Sequence, residues 1–257
     1  MTATVQDVCA WMEEWADKNL AESWDNPGLL VGHREQPVRR ILTALDATEA
    51  VIREAVEKQC DMIVTHHPMI FRPISHVEDG DRTGRRILQL AEHRIALYSA
   101  HTNLDAALGG TGDVLAARLG LQDCSPAAAY LRVGYLAQPM SLEELGYKVK
   151  EALGLPALRI VPTEETEKKY QKVALCTGAG ADQIPLALDE EADVLITGDI
   201  SYHKAEEAAA AGLALIDAGH FGTEVWIAGA IAEYLNGRAE TVEARPSEKM
   251  RDAFITL

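Results

Sequence analysis

The sequence predicts an α/β protein of two pseudo-symmetric halves, each with mostly parallel strands flanked by helices. Runs rich in Val, Ile and Leu alternate with segments of helical period, the pattern of βα units around a parallel sheet. Residues 173–197, VALCTGAGADQIPLALDEEADVLIT, lie over residues 41–65, ILTALDATEAVIREAVEKQCDMIVT, without a gap. Beyond each copy another helix leads into a strand, giving IALYSAHTNLD in the first half and LALIDAGHFGTE in the second. Two such halves facing each other would bring their strand ends to one cleft, where open α/β sheets hold ligands.

The elements follow in order. Thr4 reads as the N-cap of a helix beginning near Val5, with Val5, Val8, Met12 and Trp15 at helical spacing. A strand ILTALD (41–46), a helix from Thr48 to Lys58 and a strand DMIVT (61–65) come next, and a strand IALYSA (95–100) runs up to His101. Residues 1–125 form the first half on this reading. Residues 126–172 read as a strand–helix–strand connector. Ser141 and Glu144 make a capping box for a helix carrying Leu142, Leu145, Val149 and Leu153, and Gly154 stops it. The polar run PTEETEKKYQ (162–171) reads as a loop, and residues 173–257 form the second half.

Composition narrows the function. The 257 residues are 47% hydrophobic, enough for a sizeable core, and no run approaches the ~20 apolar residues of a membrane span. The acidic, amphipathic start MTATVQDVCAWMEEW reads as a helix and not as a signal peptide. Cys9, Cys60, Cys124 and Cys176 are scattered, which fits a reducing cytoplasm better than a disulfide framework. With 40 acids against 24 bases the net charge is −16, so nucleic acid is not an expected partner. GAGAD (178–182) lacks the ending of a phosphate loop and reads as a plain turn. No Gly-x-Ser-x-Gly supports a serine triad.

The chemistry-bearing residues fall where strands end. Adjacent His66 and His67 would point to opposite faces inside a strand, but at its end, with Pro68 behind them, both rings can turn to one side. Imidazole suits zinc, iron, nickel and copper. Asp105 closes His101-Thr102-Asn103-Leu104-Asp105, although alone it also reads as a helix cap. His220 and Glu224 are four apart and share one helical face. Three imidazoles and two carboxylates exceed the three protein ligands of one catalytic zinc and suit two ions. His33, His76 and His93 stand among polar neighbours and read as surface residues.

Five strings resemble, in order, the type 2 GTP cyclohydrolase I homologue family, also called NIF-three-like proteins. They are Trp24-Asp25-Asn26-Pro27-Gly28-Leu29, THHPMIF (65–71), AHTNLDAA (100–107), TGDISYH (197–203) and GHFGTE (219–224). The resemblance implies an α/β protein assembled as a ring-shaped homohexamer with dinuclear sites facing inward. It places the metal ligands on His66, His67, Asp105, His220 and Glu224, with two divalent cations (zinc, iron or manganese) as cofactors. The 126–172 connector is too short for the large domain that some relatives insert there. The family name implies a small-molecule substrate, GTP, whose imidazole ring is opened with release of formate.

Metal-assisted hydrolysis is therefore the expected chemistry, with a metal-dependent phosphoesterase or a non-catalytic metal-binding ring as the alternatives. His101 and His203 are the candidate proton shuttles, because imidazole changes charge near neutrality. The competing role for both is to hold a metal ligand by a hydrogen bond. Asp199 and Tyr202 are candidate cleft residues.

Overall fold

Capping and periodicity set the first elements. In the computed structural model, which describes residues 2–165 and 167–255, Thr4 caps the first helix and exchanges hydrogen bonds with Asp7, completing a capping box. The elements that follow are β1 (Ala3–Thr4), α1 (Val5–Trp15), β2 (Gly28–Val31), β3 (Pro37–Val38), β4 (Arg40–Ala44), α2 (Glu49–Glu57), β5 (Met62–Thr65), α3 (Arg82–Glu92), β6 (Ala96–Ser99) and α4 (Thr102–Ala106). Strands β4, β5 and β6 pair in parallel, β2 lies antiparallel against β6, and the C-terminal strand Glu243–Pro246 pairs in parallel with β4 at the other edge.

Strand alternation sends this sheet's side chains into two layers. Leu42, Ala44, Ile63 and Leu97 pack with Val51, Ile52 and Ala55 of α2 and Leu90 of α3. On β4, Thr43 points the other way, and its hydroxyl donates to the Ala228 carbonyl of the helix Ile227–Asn236. Residues up to Leu108, together with Ile227–Arg251, form this compact unit.

Gly109–Trp226, with the segment from Asp252, forms the second unit. It contains α5 (Thr111–Leu119), β7 (Gln122–Pro126), β8 (Arg132–Met140), α6 (Leu142–Leu153), β9 (Arg159–Val161), β10 (Tyr170–Leu175), α7 (Ile184–Asp189), β11 (Val194–Thr197), α8 (Tyr202–Ala210), β12 (Ala214–Asp217) and α9 (His220–Glu224). The six-stranded order is β7-β8-β10-β11-β12-β9, parallel at β10-β11-β12 and antiparallel elsewhere. Val173, Leu175, Val194, Ile196, Ala214 and Ile216 face α5 and α6, while Ala174, Leu195 and Leu215 face α7 and α8. That is the period of two written into the strands.

The internal repeat survives at the level of register. Ile41 pairs with Met62 and Val173 with Val194, the same spacing along the chain in each copy. The contact units do not coincide with the segments 1–125, 126–172 and 173–257. The strand–helix–strand of the middle segment is present, and Ser141 caps α6 with Glu144 as its pattern predicts. Its strands join the second sheet, β8 beside β10 and β9 beside β12. The chain after Trp226 returns to the first sheet. Long-range pairing of this kind leaves no local mark in a sequence. The loop expected over 162–171 ends before Tyr170, because Tyr170 and Gln171 open β10 beside β8, and Thr166 lies outside the described residues.

Candidate metal centre

In the first unit, β5 ends at Thr65 and the next two residues carry the donors. The His66 and His67 backbone N–H groups still reach the carbonyls of Ala44 and Leu45, so both residues sit at the rim of the ladder and not in it. His66 is buried and its Nδ1 lies 2.8 Å from the Ala100 carbonyl. A carbonyl only accepts, so Nδ1 carries the hydrogen, and in the neutral ring Nε2 carries the lone pair. His66 Nε2 is 3.4 Å from Asp105 Oδ1. His67 Nδ1 is 3.0 Å from Asp46 Oδ1, and His101 Nδ1 is 2.8 Å from Asp25 Oδ1.

Asp25 is the most heavily committed of these carboxylates. It also accepts from the Thr102 N–H at 3.0 Å and the Thr102 hydroxyl at 2.6 Å. Burial pushes its pKa up, but the hydrogen bonds from His101 and Thr102 outweigh burial and hold it well below the usual carboxylate range. It is therefore ionised and accepts a hydrogen bond from the His101 Nδ1–H. Ligand atoms of His66, His67 and His101 all lie within 4.8 Å of one another, a group that can hold a metal ion. His101, expected as a proton shuttle, thus stands among the donors of this unit. Asp105 belongs to the interior of α4 and does not cap it.

In the second unit, β12 ends at Asp217, whose carboxylate accepts from the Gly219 N–H at 3.1 Å and pairs with Arg159. Gly219 takes φ +76, a conformation glycine adopts at low cost, and α9 starts at His220. His220 Nδ1 is 2.8 Å from Asp199 Oδ2, and His220 Nε2 is 3.0 Å from Glu224 Oε2. Gly178 has φ +61, and a Cβ there would lie 2.2 Å from Glu224 Oε1. The GAGAD turn, read as plain, therefore walls the Glu224 carboxylate. His203 is exposed on α8, with its ring 5.5 Å from that of Tyr202, itself 77% exposed. No metal-competent group among the described residues includes it.

One pattern runs through both units. Each of the four imidazoles has Nδ1 held by an acceptor, three of them carboxylates, which fixes the ring, and in His66 and His220 Nε2 meets the Asp105 and Glu224 carboxylates. A neutral imidazole and a carboxylate facing each other both present lone pairs, and a divalent cation satisfies both. The donor set fits such an ion. Asp25 and Asp46 were not read from the sequence as functional. Their signal was weak: Asp46 follows a strand, and Asp25 lies within a resembling string far from the histidines along the chain.

These features define an α/β protein with imidazole and carboxylate donors placed just beyond its parallel strands. The family model described as Duf34/NIF3 (NGG1p interacting factor 3) matches residues 3–252, and the chain belongs to that family. It is similar to the "GTP cyclohydrolase 1 type 2 homolog" of Clostridium acetobutylicum, 40% identical over 233 residues, covering 87% of this chain and 86% of the relative. A protein of the same name from Clostridium perfringens is 37% identical over 259 residues, covering 97% and 98%. The crystal structure of a Bacillus cereus protein related to NIF3 shares the fold, with a TM-score of 0.93 at 24% identity over 100% of this chain and 99% of that one.

Proposed function

We propose that this chain is a metal-dependent hydrolase holding two divalent cations on His66, His67, Asp105, His220 and Glu224. The observation that carries the reading is the commitment of Nδ1 in His66, His67 and His220 to the Ala100 carbonyl, Asp46 and Asp199, which leaves Nε2 as the ligand nitrogen in each. Bound divalent ions supply Lewis acidity and bring the pKa of coordinated water toward neutrality. The remaining work falls to the chain. Asp46 and Asp199 orient imidazoles, and Glu224 offers two oxygens of one carboxylate. Asp25 holds His101 by Nδ1, which leaves Nε2 as the nitrogen to donate to a metal or to take a proton.

The substrate class in this reading is a purine nucleotide, supported by the names of the relatives. Incubating metal-loaded protein with GTP and assaying formate tests it. Phosphate release without formate would move the assignment to a phosphoesterase, and bound metal without any product would make the chain a non-catalytic metal protein. His101→Gln separates the two roles of that residue. Turnover falling far more than metal content marks a proton carrier, and equal losses mark a ligand.

A further inference from the structure

Beside its donor group, the first unit exposes two aromatic rings. Trp24 is 57% exposed and Phe71 44%. Their centroids are 5.8 Å apart with an interplanar angle of 64°. Each stands edge-on to His101, Trp24 at 6.2 Å and Phe71 at 6.4 Å. The His101 ring is in turn 5.2 Å from His66 and 5.5 Å from His67. A single exposed apolar residue is ordinary; two aromatic rings bordering a polar donor group are a different matter.

Neither ring belongs to a loose surface segment. Asp25, next to Trp24, is bonded to His101 and Thr102. Asn26 Nδ2 donates to the Ile70 carbonyl at 2.6 Å, which fastens the Trp24 segment to the neighbour of Phe71. The ordering cost of both rings is thus met in folding, and a ligand that uses them does not bear it again.

We propose that Trp24 and Phe71 are substrate-binding residues, the wall on which a flat heteroaromatic ring stacks while its anionic end reaches toward the imidazoles. The inference rests on the metal-centre reading for the anionic end, while the ring contact stands without it. Flat heterocycles stack on aromatic side chains whatever their exact substituents, whereas an aliphatic substrate leaves that capacity unused.

The test uses equilibrium dialysis of the full chain, with and without loaded zinc, against GTP and against inorganic tripolyphosphate. Trp24→Leu and Phe71→Leu, which keep apolar bulk and lose the ring, are expected to weaken GTP binding about tenfold and to leave tripolyphosphate binding and metal content unchanged. Trp24→Phe should restore most of the loss. Equal weakening of both ligands, no weakening, or no GTP binding by metal-loaded wild type would overturn the proposal. So would a change in sedimentation mass in the variants, because the rings would then cover a second copy of the chain. Ring-dependent GTP binding by a protein that takes up no metal would support the stacking wall and overturn the metal-centre reading instead.

Discussion

Imidazole orientation is decided by hydrogen bonds at Nδ1, and here three of those bonds end on aspartates. Removing such a partner frees the ring to rotate without touching a donor atom. Asp199→Ala is expected to weaken metal binding about 10- to 100-fold with little change in melting temperature, as read by competition with a chromogenic chelator. Glu224→Ala should remove most bound metal while far-UV circular dichroism stays at the wild-type level, because the core around α5 and α6 does not include that carboxylate. Two ions still bound per chain in Glu224→Ala would overturn its assignment as a ligand. At this scale the histidines were legible, since His66-His67 and the four-residue spacing of His220 and Glu224 are local patterns. Their aspartate partners lie 21 to 76 positions away along the chain, and only folding brings them together.

Turns and helix ends decide what these side chains can reach. Gly178 is required twice, by its φ of +61 and by the Glu224 oxygen 2.2 Å from where a Cβ would lie. Gly178→Ala is expected to cost about 1–2 kcal/mol in backbone strain and to lower metal affinity as the carboxylate is displaced. Wild-type values in both urea unfolding and metal titration would show that the turn yields freely. Helix α2 carries a second element-scale device. Buried Glu54 bonds to Lys58, to the Ser247 hydroxyl and to the Glu248 N–H, the last two in the C-terminal segment. Burial pushes its pKa up, but those bonds outweigh burial and lower it. Its stabilisation is therefore full above the unfolded value, near 4.3, and is lost as pH falls through the folded value. Glu54→Gln should cost about 1–3 kcal/mol at pH 7. That difference should shrink as urea unfolding is repeated toward pH 3. A gap that stays constant with pH would remove the charge from the explanation.

Over the whole molecule, apolar packing and not metal carries the fold. The five- and six-stranded sheets each have helices on both faces, and the core clusters that pack them include none of the five proposed metal ligands. Chelation is expected to leave far-UV circular dichroism unchanged, whereas a small zinc domain would unfold. Collapse of the spectrum would make the site structural. The homohexamer implied by the resemblance is checked by sedimentation velocity, with a particle near the monomer mass of 28.0 kDa as the contrary result. No helix among the described residues is long and apolar enough to cross a membrane.

What the sequence determined by itself is whatever depends on near neighbours. The α/β class, the capping boxes at Thr4 and Ser141, the repeated βαβ register and the placing of His66, His67, His101 and His220 beyond strands all follow from spacing over a few residues. Tertiary structure alone decided which sheet receives β8, β9 and the C-terminal strand. It decided that Gly178 confines Glu224 and that Asp25 and Asp46 hold imidazoles. It also buried Arg132 against Asp113, a charge pair that composition could not foretell. The physical reason is common to all of these. Propensity and periodicity act along the chain, whereas an acceptor for an imidazole proton or a partner for a buried charge is chosen by proximity in space, which the chain reaches only once its cores have closed.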